Sequence, residues 1–538
     1  MNIIMAENVT TDAHGDIPEY FNFAMDVVDD WSNRAPDSTA LWWIDGCGNE
    51  VCLSYRDLAV SSRKFCNVLQ ASGVQKGDTV LLVMKPQPAW WEILTACLRM
   101  GVVVSPGTSQ LSSKDLKYRL KTSAATCVIS DLENVGKFEA ADIDQSLSCK
   151  FVVAGHRDGW ISYEDSMKSA SEDFNAPSTR AADTALCYFT SGTTGHPKMV
   201  IHTQASYGIG HRVTGGSWQQ LKPAEVVWCV TDTGWAKAAY SAYFGPIIQG
   251  STVFSVGMPF DAVSTLELLG NYPIDVFCAA PTAYRLLIQE NVSSLDAASL
   301  KRCFSAGEPL NPEVISQWKK LTRLTIKEGY GQTETCILCA SWDDIETRPG
   351  SMGTAAPGHD LQVVDQDGVV LDSGEEGEIA LRVVPHRPVG LFKEYLNSAE
   401  RMAESFRGDW YFTGDRAVRD EDGYFWFLSR SDDVIISSGY RIGPFEVESA
   451  LLEHPAVTES AVVSSPDPVR GEVVKAFVVL SDGVSESEDL VRELQNHVKR
   501  ETAPFKYPRR IEFVRELPKT VSGKIRRVEL RAMEWADQ

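Results

Sequence analysis

A short segment of the chain joins an apolar run to a loop rich in hydroxyl groups and glycine. Residues 185–189 read ALCYF, and residues 190–198 read TSGTTGHPK. Glycine lets backbone N–H groups approach an anion closely, and the hydroxyl groups and the lysine add donors and a positive charge. Pro197 separates Lys198 from the preceding glycine, so the loop does not fit the Walker A pattern. We predict a phosphate-binding loop made of Thr190, Ser191, Gly192, Thr193, Thr194, Gly195, His196, Pro197 and Lys198.

A second segment combines an aromatic ring, hydroxyl groups and carboxylates, with the sequence EGYGQTET at residues 328–335. Tyr330 stands between two glycines and can offer its ring to a purine base. Thr333 can donate a hydrogen bond to a phosphate oxygen. Glu334 is a hard oxygen ligand of the kind that Mg²⁺ takes together with phosphate oxygens. These residue types predict a site for a nucleotide and its magnesium ion.

Positive charge is concentrated near the C-terminal end of an otherwise acidic chain. The 538 residues include 51 Lys and Arg against 73 Asp and Glu, a formal net charge of −22, but residues 499–531 hold 11 Lys and Arg against 4 Asp and Glu. Lys524 lies in this stretch, where a mobile ammonium could offset charge shared by a carboxylate and a phosphate. We predict that the basic segment meets anionic substrates. The acidic remainder argues against nucleic acid or an anionic membrane as a partner.

These residues must be positioned by several structural units, because 538 residues predict two to four cores. Between residues 79 and 380, short β-rich runs such as 79–84, 226–230 and 275–280 alternate with amphipathic segments such as 112–123 and 261–270. This alternation is typical of parallel sheets covered by helices. Turn-forming residues punctuate short alternating strands at 351–428, which indicates a small β-barrel or ribbon.

The composition changes again near residues 429–433, where we place a domain boundary. Pro444 can open a helix that continues to residue 452, since proline suits the first helical turn. Strands are predicted at 434–437, 457–464, 472–480 and 510–514, with a turn at 438–440 and a helix at 487–500. The fold class is therefore a large α/β N-terminal domain, residues 1–431, with a β-rich subdomain at 351–428, followed by a mobile α+β C-terminal domain, residues 432–538.

The loop TSGTTGHPK resembles the phosphate-loop signature of the adenylate-forming superfamily, which includes acyl-CoA synthetases, luciferases and peptide-synthetase adenylation domains. Further signatures follow in order at 305–309, 328–335, 410–415, 429–433 and 518–524. The chain is most similar to the medium-chain acyl-CoA synthetases, through PEYFNFAMDVVDDW, DTGWAK, SSPDPVRGEVVKAFVV and PFKYPRRIEFVRELPKT. The resemblance implies an ATP-dependent acid–thiol ligase of fatty acid metabolism, with ATP and CoA as co-substrates and Mg²⁺ as cofactor.

The resemblance also implies roles for individual residues. Lys524, Thr333 and Glu334 are implied as catalytic, Glu334 as the magnesium ligand, and Asp432 as the hinge of the small domain. Besides the loop at 190–198, ATP or AMP is implied to bind Gly307, Glu308, Pro309, Glu328, Gly329, Tyr330, Gly331, Gln332, Thr333, Asp415, Arg430 and Lys524. CoA is implied to bind Gln110, Ser438, Gly439, Tyr440, Arg441, Arg470, Lys499, Arg500, Tyr507, Pro508 and Arg509. Trp235 and Cys336 are implied to line the acyl pocket.

Two half-reactions are expected, acyl-adenylate formation and then thioester formation, with rotation of the small domain between them. An aryl- or branched-acid ligase of the benzoate type remains the alternative. A peptide-synthetase module would need a carrier domain, and 14 residues follow Lys524. No feature requires the oxygen chemistry of a luciferase. A non-catalytic adenylate-binding protein would not need Lys524, Glu334 and Asp432 together.

Composition limits the compartments in which the protein is expected to reside. No apolar run reaches the roughly 18–20 residues of a membrane helix, so no stable membrane insertion is expected. Twelve scattered cysteines predict buried free thiols in a reducing compartment, and the lone pair Cys336 and Cys339 does not indicate a metal site. Residues 1–20 resemble neither a secretory signal nor a typical mitochondrial presequence. A cytoplasmic monomer or homodimer is expected, with the mitochondrial matrix possible from the family resemblance.

Overall fold

The computed structural model describes residues 17–141, 147–190, 197–290, 297–431, 433–437, 440–468, 470–519 and 524–536. Two large, mostly parallel sheets form the body. In sheet order, the first contains Thr354–Ala355, Ile337–Ala340, Ile326–Gly331, Arg302–Ala306, Val276–Ala279, Val226–Cys229, Thr252–Val256, Thr39–Ile44 and Glu50–Ser54. The second contains Glu394–Tyr395, Lys198–Thr203, Thr184–Thr190, Val103–Gly107, Thr79–Val83, Cys127–Asp131, Cys149–Val153 and Ile161–Ser162.

Two smaller sheets follow in the chain. The third sheet is antiparallel and joins Leu361–Val364, Glu376–Arg382, Trp410–Arg419 and Phe406–Arg407 in that order, with Phe425–Arg430 paired to Trp410–Arg419. The fourth joins Tyr440–Ile442, Ile435–Ser437, Gly471–Leu480 and Val457–Asp467, with Arg510–Phe513 parallel to Gly471–Leu480. The large α/β part and the separate α+β part confirm the predicted fold class.

Helices cover the sheets. The α-helices are Asp29–Arg34, Tyr55–Ala71, Pro88–Met100, Ser113–Ser123, Leu132–Ala140, Tyr163–Ser169, Gln204–Gly208, Ala236–Ala239, Gly245–Gln249, Ala262–Asn271, Pro281–Gln289, Pro312–Thr322, Ala399–Ser405, Pro444–Leu452, Glu488–Glu501 and Arg527–Trp535. Three π-helical segments are Ala24–Val28, Val213–Trp218 and Tyr240–Phe244. In the part of the chain described here, no helix is long and apolar enough to cross a membrane.

Local sequence explains the boundaries of several elements. Ser112 caps helix Ser113–Ser123 by accepting from the Asp115 N–H, while the Asp115 carboxylate accepts from the Ser112 N–H. Proline occupies the first turn of helix Pro444–Leu452, as predicted.

Ten of the twelve cysteines are buried and all are free, which confirms the prediction that most of them are buried free thiols. The described residues contain no group of three or more side chains able to hold a metal ion.

Two elements differ from the sequence prediction. Tyr440 was expected in a turn, but it begins strand Tyr440–Ile442, whose partner is the predicted strand Ile435–Ser437. Helix Arg527–Trp535 was not predicted. Leu530 is its one buried residue, so its charged sequence carries a weak apolar stripe.

Candidate active site

The ends of the predicted phosphate loop lie side by side. Thr190 ends one strand of the second sheet, Lys198 begins the next, and the two are register partners in an antiparallel pair. The Tyr118 hydroxyl donates to the Pro197 carbonyl at 3.1 Å. The Lys198 ammonium lies 5.2 Å from the centre of the Tyr395 ring. Residues 191–196 of the predicted loop lie outside the described residues.

The Tyr395 hydroxyl links this region to Glu334. It donates to Glu334 Oε1 at 2.8 Å, and the Phe392 N–H donates to the Glu334 carbonyl at 2.7 Å. Burial, and then the neighbouring Glu334 charge, raise the pKa of Tyr395, so its hydroxyl stays protonated and can donate. One carboxylate oxygen of Glu334 is therefore held in place by a neutral donor.

Two buried side chains hold the backbone of Thr333 in place through hydrogen bonds. Its carbonyl accepts from His202 Nε2 at 2.7 Å and from the Tyr207 hydroxyl at 2.6 Å. Burial lowers the pKa of His202 to about 3, so the imidazole is neutral at physiological pH. Sequence reasoning did not find His202 or Tyr207, because a histidine and a tyrosine in HTQASY carry no motif without their contact to a residue far along the chain.

Asp415 contacts three other residues that are predicted to bind the nucleotide, Tyr330, Gln332 and Arg430. Its Oδ2 accepts from the Tyr330 hydroxyl and from Gln332 Nε2, each at 2.6 Å, and its Oδ1 lies 3.1 Å from Arg430 Nε. Asp415 and Arg430 are register partners on neighbouring strands of the third sheet. The carboxylate is 4% exposed and charge-assisted bonds surround it. Adjoining segments of two sheets thus converge on one acidic group.

Glu328 and Glu308 occupy different environments. Glu328 is buried, and its Oε1 accepts from the Leu310 N–H at 3.1 Å, while its Oε2 has no partner among the described residues. Burial raises the pKa of Glu328 to about 8, so the carboxyl is mostly protonated at neutral pH. Glu308 lies in the predicted GEP segment, with Arg285 Nη2 3.6 Å from its Oε2.

The C-terminal part brings Lys524 to this region. Lys524 is exposed to solvent, but the surrounding protein partly desolvates its ammonium, and this desolvation lowers its pKa. Glu308 and Asp415 act in the opposite direction, whereas the cations Arg430 and Lys237 lower the pKa further. Lys524 therefore lies within electrostatic reach of Glu308 and Lys237, which follow strands of the first sheet, and of Asp415 and Arg430 in the third sheet.

Two ion pairs hold the segment after Lys524. Arg527 donates to Glu448 through Nε at 2.9 Å and through Nη2 at 2.6 Å, and the Glu448 carboxylate also accepts from the Val462 N–H at 2.8 Å. Arg531 pairs with Asp433, directly after the predicted hinge residue Asp432, which lies outside the described residues. Charges of Asp433 and Glu308 both act on Arg527. The lysine is thus carried by a segment anchored within the small domain.

Several of the predicted CoA residues on the small domain make aromatic and cation–ring contacts. The Tyr440 and Phe505 rings stack with centroids 4.4 Å apart. The Tyr507 ring lies 4.1 Å from the Lys499 ammonium and 4.9 Å from the Arg509 guanidinium. Arg470, Arg500 and Arg509 are exposed, Pro508 accepts from Gln495, the side chain of Arg441 is not described, and Ser438 and Gly439 lie outside the described residues.

The remaining predicted residues are Gln110, expected to bind CoA, and Trp235 and Cys336, expected to line the acyl pocket. Gly234 packs so closely on residues 107–108 that an added Cβ would stand 2.0 Å from the Thr108 N, and the exposed Gln110 follows that strand. Trp235 is half-buried at the start of helix Ala236–Ala239. Cys336 is buried, and its Sγ lies close to Gly210 and Gly390, where a Cβ would stand 2.8 and 2.9 Å from it.

Two family models and a relative of known name match this chain. The AMP-binding enzyme family matches residues 28–396, and the AMP-binding enzyme C-terminal domain matches residues 446–524. The acyl-coenzyme A synthetase ACSM3, mitochondrial, of Mus musculus is 50% identical over 540 aligned residues, which cover 98% of this chain and 93% of that protein.

Solved structures share the fold over nearly the whole chain. The anthranilate CoA ligase AuaEII, in complex with anthranoyl-AMP, superposes with a TM-score of 0.89 and 28% identity, covering 97% of this chain and 99% of its own. A benzoate CoA ligase from Burkholderia xenovorans superposes with a TM-score of 0.84 and 28% identity, covering 95% and 100%.

Proposed function

Since the chain belongs to the AMP-binding enzyme family, we propose that it is an acyl-CoA synthetase that activates a medium-chain carboxylic acid with ATP and transfers the acyl group to CoA. The observation that carries the proposal is the position of Lys524. A lysine of the small domain stands within electrostatic reach of Asp415, Arg430, Glu308 and Lys237 on the large domain. A carboxylate and a phosphate could meet in that cleft.

In the first half-reaction, a carboxylate oxygen of the acid attacks the α-phosphorus of ATP, and the bond to the diphosphate leaving group breaks. Negative charge on the reacting oxygens is offset by the Lys524 ammonium, whose partial desolvation lowers its pKa. Thr333, whose carbonyl is held by His202 and Tyr207, would donate its hydroxyl to the α-phosphate. Asp415 would accept from ribose hydroxyls.

Magnesium fits the donor set as a partner of ATP. Glu334 supplies one hard carboxylate, held by Tyr395, and no cluster of three ligands occurs among the described residues. Mg²⁺ commonly takes one or two carboxylates and completes its shell with phosphate oxygens and water. When bound, the ion would neutralise phosphate charge. Glu334 would hold it, and Tyr395 would orient Glu334.

In the second half-reaction, the CoA thiol attacks the acyl carbonyl carbon and AMP leaves. We assign CoA to the aromatic and basic face made by Tyr440, Phe505, Tyr507, Lys499 and Arg509, which turns toward the adenylate when the small domain rotates about Asp432. Guanidinium and ammonium groups suit the phosphates of CoA. We assign the arrangement in which Lys524 lies near Glu308 and Asp415 to the first half-reaction.

The names of the related enzymes specify different carboxylic acids as substrates. The name of one solved structure specifies anthranilate and that of another specifies benzoate, so an aryl acid stays the second candidate substrate. The name of the Mus musculus relative includes the word mitochondrial. For this chain, the cytoplasmic location, the mitochondrial alternative and the oligomeric state stay predictions.

The test is a panel of C2–C12 and aromatic acids, incubated with the purified chain, ATP, Mg²⁺ and CoA. We expect thioester, AMP and diphosphate in equal amounts, with a maximum among medium-chain acids. Omitting CoA is expected to leave diphosphate release limited to about one turnover. Absence of CoA-dependent thioester from every acid would refute the proposal.

A further inference from the structure

Four buried polar groups without hydrogen-bond partners lie near Tyr207, the residue that bonds the Thr333 carbonyl. Among the described residues, no partner is found for His211 Nε2, Trp218 Nε1, Gln219 Oε1 or the Tyr240 hydroxyl. His211 is 2% exposed, Trp218 1% and Gln219 0%. The centre of the Tyr240 ring lies 6.1 Å from that of His211 and 6.3 Å from that of Trp218. We call these four residues the polar cluster.

The polar cluster is built on two irregular segments. Trp218 ends the π-helix Val213–Trp218, and Tyr240 begins the π-helix Tyr240–Phe244. Gln219 Nε2 donates to Ser241 Oγ at 2.7 Å and so ties the two segments together. π-Helical turns are rare and frequently occur at functional sites. A buried polar group without a partner destabilises the folded state, so four such groups in one place indicate a missing binding partner.

The polar cluster is one side chain away from the reacting groups. The Tyr207 hydroxyl bonds the Thr333 carbonyl at 2.6 Å, and the Tyr207 ring centre lies 4.5 Å from that of His211. A Cβ at Gly329 would stand 2.6 Å from the Trp218 ring. Tyr207 therefore connects the polar cluster directly to the backbone of Thr333.

The chemistry of the polar cluster selects the group that could satisfy it. Trp218 Nε1 only donates, Gln219 Oε1 only accepts, and the Tyr240 hydroxyl can do both. Burial lowers the pKa of His211, so its imidazole is neutral. A hydroxyl group donates one hydrogen bond and accepts up to two, so it can pair with as many as three of these four atoms. A methyl group would leave all four polar atoms unpaired, and a carboxylate would find no cation among the four.

Resting on the proposed function, we propose that the substrate is a carboxylic acid that carries a hydroxyl group at the end remote from its carboxylate, and that the polar cluster binds this hydroxyl. Hydrocarbon acids of equal size without a hydroxyl group are then poorer substrates, because they cover the polar cluster and form no hydrogen bonds to its polar atoms. Discrimination of this kind is strong when a site is built to bond a hydroxyl.

The test compares size-matched acids with the purified full chain, ATP, Mg²⁺ and CoA. One set is 3-(4-hydroxyphenyl)propanoate against 3-(4-methylphenyl)propanoate, and the other is 6-hydroxyhexanoate against heptanoate. We expect the hydroxylated acid of at least one set to have a kcat/KM about 10- to 100-fold higher than that of its partner. A preference for the methyl acid in both sets would overturn the inference while leaving the proposed function standing. No thioester from any acid would refute the proposed function and the inference with it.

Tyr240→Phe removes one hydroxyl from the polar cluster and is expected to lower the ratio of the two kcat/KM values about fivefold or more. Tyr243→Phe is the matched control, because Tyr243 lies in the same π-helix and its hydroxyl is 2.6 Å from Thr95 Oγ1. The control should leave the ratio unchanged. The alternative is that a buried water molecule bonds the polar cluster in the free protein. In that case Tyr240→Phe would remove a hydrogen bond to the water and lower the melting temperature of the free protein. We expect that temperature to stay equal or rise, and a fall would overturn the inference.

Discussion

The ion pair between Arg527 and Glu448 gives the sharpest stability prediction. Glu448 has a side chain that is 6% exposed, and Arg527 supplies two of its hydrogen bonds from a side chain that is 26% exposed. Replacing Arg527 with leucine leaves a buried carboxylate whose remaining described donor is the Val462 N–H. Removing one partner of a buried pair costs about 3–5 kcal/mol. Because Arg527 is about a quarter exposed, water can reach part of the site, and we expect about 2–4 kcal/mol for Arg527→Leu.

The assay is hydrogen exchange of peptides from the fourth sheet and helix Pro444–Leu452, read as a local free energy of unfolding. Exchange there should speed up by about 30- to 1000-fold, since 1.4 kcal/mol is a factor of ten. The double variant Glu448→Leu with Arg527→Leu should recover most of the loss, because apolar replacement of both partners is often neutral. Arg492→Leu is the control, since its exposed pair with Glu488 is worth about 0–1 kcal/mol. A change below about 1 kcal/mol for Arg527→Leu would refute the assigned role of the pair.

Two further predictions concern single carboxyl groups. Glu328 has a folded-state pKa of about 8, so the folded state binds more protons than the unfolded one above pH 4.5, and stability falls as pH rises toward 8. As pH rises from 6 to 8.5, the melting temperature of Glu328→Gln should therefore rise relative to that of the parent protein. A difference between the two melting temperatures that does not change with pH would contradict this. Tyr395→Phe removes the donor to Glu334 Oε1, so the Mg²⁺ concentration for half-maximal diphosphate release should rise about tenfold or more. An unchanged Mg²⁺ dependence would show that Tyr395 does not orient Glu334.

Sequence reasoning succeeded where chemistry is local. Pro444 predicted the start of a helix because proline suits its first turn, and alternating apolar runs predicted parallel strands such as Val276–Ala279. The family assignment followed from a loop whose residue types and order are specific. These inferences use neighbours in the chain, whose interactions are visible in the sequence.

The rest depends on contacts between distant residues. His202 holds Thr333, 131 positions away, and Arg527 holds Glu448, 79 positions away. The polar cluster exists because two irregular segments bring His211 and Tyr240 together. No local pattern encodes such pairs. The position of Lys524 likewise required the small domain to be placed against the large one.

The most direct test of the central claim separates the two half-reactions in a Lys524→Met variant. Release of diphosphate from ATP and acid measures adenylation, and thioester formation from supplied acyl-adenylate and CoA measures transfer. Because the Lys524 ammonium offsets charge only while the carboxylate meets the α-phosphate, adenylation should fall about 100- to 1000-fold. Transfer from supplied acyl-adenylate should stay within about threefold of that of the parent protein. Equal losses in both half-reactions, or full adenylation without Lys524, would contradict the account.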